Sequence, residues 1–157
     1  MSKHKSKLNW CLKNEKRMRK IAPNSKLSKE HIDKAKHNLR AADFNIQGGF
    51  SDWAVSQLYY AMYHSLLAIL FMKGFESKNH ECTINAIEYL IEEKEINLGK
   101  EDIVFIRTTE QMTQKDAKSL REEFQYGTKT EVNKILLDEL IRKSKEIVEK
   151  VEVTLND

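Results

Sequence analysis

Apolar residues recur at helical spacing along most of the chain. From about Ser28 to Gln47, Leu27, Ile32, Ala35, Leu39, Ala42 and Ile46 fall three to five apart and predict an amphipathic helix that Gly48-Gly49 stops. A second segment, from Ser51 to Gly74, is different in kind. Trp53, Val55, Leu58, Tyr59, Tyr60, Met62, Tyr63, Leu66, Leu67, Ile69, Leu70 and Phe71 place apolar groups around almost the whole circumference, as in a helix that is central or forms an interface. Ser51 is its expected N-cap, Asp52 complements the helix dipole, and Gly74 stands where a C-terminal cap belongs.

Further helices are predicted from His80 to Glu93, with Asn79 or Ser77 as cap and Ile84, Ile87, Leu90 and Ile91 on one face, and from Glu101 to Phe124. The polar run Thr108 to Lys118 weakens the latter and suggests a break, and Tyr126-Gly127 ends it. Thr130 is the expected cap of a last helix carrying Val132, Leu136, Leu140, Ile147 and Val151. At the N-terminus, Leu8, Trp10, Cys11, Leu12 and Met18 suggest one side of a short helix ended by Pro23, with Trp10 docked on the body. No strand pattern is visible. The expected fold is all-α, an antiparallel bundle of four to five core helices at residues 25–157 with a basic arm or helix, residues 1–24, packed on it.

Composition agrees with this pattern and adds one asymmetry. One proline and five glycines in 157 residues exclude a turn-rich β sandwich or a flexible low-complexity chain, and 40% hydrophobic residues suffice for one core. The net charge of +3 conceals an uneven distribution. Residues 1–26 carry nine basic side chains against Glu15, a net +8, which leaves 18 basic and 23 acidic residues, a net −5, on the other 131. Such a block is either solvated, laid on its own domain, or held against nucleic-acid phosphates. Lys16, Arg17, Arg19 and Lys20 are its candidate phosphate contacts.

The other candidate chemistry is sparse. Cys11 and Cys82 lie far apart, do not form a disulfide framework by pattern, and fit a reducing compartment. No secretory signal opens the chain, and the apolar run Leu58 to Met72 contains His64 and Ser65 and is shorter than a span of roughly 18 residues. A cytoplasmic protein without membrane attachment is expected. His80 and Cys82, with His64, are the residue types that bind zinc, but no second ligand pair accompanies them. No metal or cofactor is therefore expected, and His80 is expected to cap or brace the loop before its helix. His64, in the apolar helix beside Tyr60 and Tyr63, is expected in the core. Tyr59 and Tyr60 can stack bases but at this spacing read as core or interface.

The run Ala54-Val55-Ser56-Gln57-Leu58-Tyr59-Tyr60-Ala61-Met62-Tyr63-His64 resembles the AxxxxYYAMxH signature of the HEPN domain family, and Gly74, Ser77 and His80 match its G-x-x-S-x-x-H connector. Trp10-Cys11, Asn79-His80-Glu81-Cys82-Thr83-Ile84 and Arg121-Glu122-Glu123-Phe124-Gln125-Tyr126-Gly127 resemble a largely archaeal, uncharacterised subgroup of it. The resemblance implies an antiparallel helical fold, a homodimer, RNA or nucleotide as ligand, and often a nucleotidyltransferase partner in a toxin–antitoxin pair. It also implies metal-independent RNA cleavage where an Arg is followed four to six residues later by His. None of Arg17, Arg19, Arg40, Arg107, Arg121 and Arg142 has a His four to seven residues on, and no His follows His80. Tyr126 stands where Arg121 would lead to His, and a phenol with an ordinary pKa near 10 is a poor base at neutral pH. The expectation is thus a binding module without the family's nuclease motif. Arg121, Glu122, Gln125 and Tyr126 are its candidate ligand contacts, Arg121 and Glu122 acting as a phosphate clamp and its orienter or as a plain ion pair. The alternative is a ribonuclease toxin using Arg121 and Tyr126, with His64.

Overall fold

A computed structural model describes residues 2–120 and 133–156, and the regular elements within these are helices apart from one short ribbon. The helices are α1 (Lys3–Leu12), α2 (Ser25–Gln47), α3 (Ser51–Lys73), α4 (His80–Glu92), α5 (Lys100–Leu120) and α6 (Lys134–Asn156). The ribbon pairs β1 (Met18–Lys20) antiparallel with β2 (Phe75–Ser77), Met18 facing Ser77 and Lys20 facing Phe75. This ribbon is absent from the sequence expectation, because three residues are too few to show a period of two. The polar run in α5 contains no break up to Leu120.

α3 is the centre. Leu58, Tyr59, Met62, Leu66, Ile69 and Leu70 are all fully or almost fully buried, and α2, α4, α5 and α6 all pack against α3. It is the one helix among the described residues long and apolar enough to cross a membrane by length and composition, yet 72% of that apolar window is buried inside the bundle. α2 folds back on α3 as an antiparallel hairpin: Ser28 Oγ donates to Ala68 O at 2.8 Å, and Asn45 Nδ2 donates to Gln57 Oε1 at 3.0 Å. The turn uses Gly48 as cap and Gly49 at φ +86°, a conformation that suits glycine.

The ends of α3 depart in one respect from expectation. Ser51 is the first helical residue, and Phe50 holds the capping position without a side-chain cap hydrogen bond. Gly74 does cap the C-terminus, at φ +88°, and a Cβ there would meet Ile21 O at 2.8 Å. Asn24 and Asn79 cap α2 and α4 by accepting from Leu27 N and Cys82 N. The Thr130 cap and the Tyr126-Gly127 stop lie outside the described residues; Asn133 Oδ1 accepts from Ile135 N and Leu136 N at the start of α6. Asp102, fully buried, joins α5 to α6. Its Oδ2 accepts from Gly99 N at 2.9 Å and Lys150 Nζ at 3.3 Å, while Lys143 Nζ lies 3.3 Å from Oδ1. Burial alone would raise its pKa, but the Gly99 N–H and the two ammonium groups hold it below the usual carboxylate value.

The basic segment is folded onto this bundle. α1 ends at Leu12, well before Pro23, because Asn14 opens a turn in which its carbonyl accepts from Arg17 N and Met18 N. Met18 therefore leaves the helix and is buried in β1. Leu8 and Cys11 face α4, and Ile21 N donates to Gly74 O while Asn24 N donates to Phe71 O, lacing the segment along the end of α3. Cys11 and Cys82 form a disulfide, both sulfurs buried. The sequence expectation of two unpaired cysteines is corrected by this packing: the inner face of α1 meets the first turn of α4, which brings together residues 71 apart in the chain.

Closing a loop of that length removes about 4 kcal/mol of unfolded-chain entropy in the simplest model. Reduction, or the Cys82→Ser substitution, is expected to lower unfolding free energy by about 2–4 kcal/mol, read as a fall in urea midpoint with a steeper slope, because the unlinked unfolded chain exposes more surface. A midpoint insensitive to reductant would contradict the bond.

Candidate functional site

Three groups of chemistry-bearing side chains lie on this frame. The first is at the junction of α3, α4 and α5. Tyr59 and Tyr63, one helical turn apart on α3, meet His80, the first residue of α4. The Tyr63 and His80 rings stack with centroids 4.2 Å apart and planes within 12°. Tyr59 Oη lies 3.1 Å from His80 Nδ1, and Glu110 Oε1 of α5 lies 4.0 Å from the same nitrogen. Burial, then Glu110, raises the Tyr59 pKa far above that of a free phenol, so the hydroxyl stays protonated. Which of the two atoms donates follows the imidazole tautomer. Tyr63 Oη is 3.2 Å from Thr83 Oγ1, which in turn donates to Ser77 Oγ at 2.7 Å, fixing the stack from below. The His80 side chain remains 43% exposed. It is thus an oriented, solvent-reaching imidazole that braces the start of α4 against Tyr59 and Tyr63, while Asn79 performs the capping.

The second group is a histidine pair. His31 Nδ1 and His64 Nδ1 are 3.0 Å apart across α2 and α3, with ring planes within 20°. At that distance one ring must donate and the other accept, so the pair holds a single proton between them. Phe71 stacks on His31 with centroids 5.1 Å apart. Burial, then His31, then Lys34 push the His64 pKa down to about 4; burial lowers that of His31 against the pull of Glu30. His64 is therefore half-buried in a pair that has no contact with His80, and the sequence missed His31 as its partner.

The third group is the basic segment. Trp10, expected to dock on the body, is 52% exposed, because Leu8 and Cys11 take the inner face of α1. Arg17 lies over it, Cζ 3.6 Å from the indole centroid, with Nη2 donating to Trp10 O at 2.7 Å. Arg19 is neutralised by Glu76, Nε to Oε1 2.8 Å. Lys16 and Lys20 are exposed, and with Lys3, Lys7 and Lys13 they have no ion pair among the described residues. Arg121, Glu122, Gln125 and Tyr126 lie outside the described residues. Cys82 is committed to the disulfide; among the described residues no three His, Cys, Asp or Glu side chains converge as a metal set.

The His pair gives stability a definite pH dependence. Because the folded pKa values lie below the unfolded value of about 6.5, the unfolded chain takes up protons first as pH falls. The contribution is complete above about pH 6.5 and is lost on the way down to about pH 4; with both rings half-exposed, the loss is on the order of 1–2 kcal/mol. His64→Gln is expected to flatten the urea midpoint between pH 7 and 4.5. An unchanged slope in that variant would contradict the pairing.

Comparison with known proteins identifies the family. The HEPN domain model matches residues 28–154, from the start of α2 to the end of α6. A UPF0332 protein of Archaeoglobus fulgidus is 32% identical over 125 residues, which cover 80% of this chain and 92% of that protein. The helical bundle, the Tyr59 to His64 block and these matches together place the chain in the HEPN domain family.

Proposed function

We propose that this HEPN protein is an RNA- or nucleotide-binding module whose basic N-terminal segment, residues 3–20, supplies a fixed face for phosphates. The observation that carries the reading is the set of ammonium groups at Lys3, Lys7, Lys13, Lys16 and Lys20, gathered without ion pairs on one segment that α4 and β2 hold in place. Cations carried on a held segment release counterions from a nucleic-acid backbone without that segment first having to be ordered. A homodimer and a nucleotidyltransferase partner in a toxin–antitoxin pair belong to the same proposal, supported by the family. Phe44, Phe50 and Trp53, each more than half exposed around the α2–α3 turn, offer apolar surface to a second copy.

A second reading, metal-independent RNA cleavage, was tied by sequence to Arg121 and Tyr126. Among the described residues it is favoured by His80, an oriented imidazole that reaches solvent beside Glu110. It could serve as a general acid or base toward a ribose hydroxyl or leaving oxygen.

Anisotropy of a labelled RNA oligonucleotide across a salt series tests the first reading. Affinity is expected to fall steeply with salt, and Lys13→Ala, Lys16→Ala and Lys20→Ala together are expected to reduce the log–log slope by about 2. A slope unmoved by the triple substitution removes the segment from the interface. The same RNA incubated in EDTA tests the second: cleavage lost in His80→Ala supports it, and intact RNA with the unsubstituted protein rejects it.

A further inference from the structure

The exposed face of α1 carries more than charge. Lys3, Lys7 and Trp10 recur at i, i+4 and i+7, so they share one stripe along about 10 Å of helix. The stripe ends at the Arg17 guanidinium, which lies on the indole and is pinned by its bond to Trp10 O. Arg17 is held in turn by the ribbon, since Arg17 O accepts from Lys78 N at 2.9 Å. Lys13 and Lys16 flank this pair in the turn that joins α1 to β1. An indole half open to solvent, backed by a guanidinium plane and bordered by unpaired ammonium groups, is the combination that receives an unstacked base and its neighbouring phosphates.

The alternatives fit less well. A duplex keeps its base faces inside the helix and leaves the indole plane nothing to stack on. An acidic peptide would use the lysines but not the ring. A bilayer needs an apolar helix face, and that of α1, Leu8 and Cys11, is buried against α4.

We infer that the Trp10–Arg17 pair is a stacking platform for single-stranded RNA, with Lys3, Lys7, Lys13 and Lys16 tracking the adjacent phosphates. This deepens the RNA-binding reading and rests on it. The chain has two tryptophans, so Trp53→Phe leaves Trp10 as the sole indole reporter in the full, oxidised protein. Titration with a short unstructured oligouridylate is expected to quench that emission. Trp10→Ala is expected to weaken binding about 5- to 100-fold with an unchanged salt slope, and Trp10→Phe to retain most of the affinity.

A blunt RNA duplex of equal length should bind more weakly and leave the emission unquenched. Equal affinity of Trp10→Ala for the oligouridylate, or equal binding and quenching by the duplex, overturns the platform while leaving RNA binding intact. Absence of any RNA binding overturns both readings. Quenching by an acidic peptide or by phosphatidylserine vesicles but not by RNA assigns the surface to another partner and overturns the inference.

Discussion

Among the described residues, α2, α4, α5 and α6 are arranged around a 23-residue helix, α3, that is apolar on nearly every side. Left in water, α3 would expose Leu58, Met62, Leu66, Ile69 and Leu70 together, and burying one such side chain is favourable by about 1.5–3 kcal/mol. No single partner helix can cover a full circumference, so the chain folds α2 back on one face and brings α4, α5 and α6 to the others. The tight Gly48-Gly49 turn and the left-handed Gly74 cap follow from the need to leave α3 sharply at both ends. Asp102, held by Lys143, Lys150 and Gly99, then closes the circle by fixing where α5 begins relative to α6.

The basic segment is attached to the same centre rather than hung from it. Gly74 gives its carbonyl to Ile21 N and Phe71 gives its carbonyl to Asn24 N, so the C-terminal end of α3 is also the anchor of the chain that precedes α2. The ribbon and the Cys11–Cys82 bond add two further attachments, one to β2 and one to the first turn of α4. An arm held by these attachments carries its lysines and Trp10 on a fixed backbone, and a backbone already ordered loses less entropy on binding a ligand. His80 lies on the same short stretch as the disulfide, two residues from Cys82, so the aromatic site and the basic face share α4 as support.

Much of this was legible in the residues, for identifiable reasons. The long helices have strong periodicity, and Asn79, Gly48 and Gly74 act as the punctuation their chemistry suggests. The signature around Tyr59 to His64 pointed to the family that the comparisons show. Pairings between distant segments were not legible. Nothing in the sequence marks Cys11 for Cys82 or His31 for His64, because each pair depends on how two helices cross. The side on which Trp10 lies is not legible for a related reason: a ten-residue helix with Leu8, Trp10, Cys11 and Leu12 has two possible inner faces, and only α4 chooses between them. Ser51 has the residue type of a cap, whereas the short turn admits one more helical residue and puts Phe50 at that position.

The central claim is that residues 3–20 are a folded part of the bundle and not a solvated tail. Amide hydrogen exchange on the oxidised protein tests it most directly, at Cys11, Leu12, Ile21 and Lys78. The account predicts protection of these amides approaching that of the α4 core, since Ile21 and Lys78 donate to Gly74 O and Arg17 O and the α1 amides lie within its helix. Exchange at the rate of an unstructured chain across residues 3–21, with α3 and α4 protected, would contradict it.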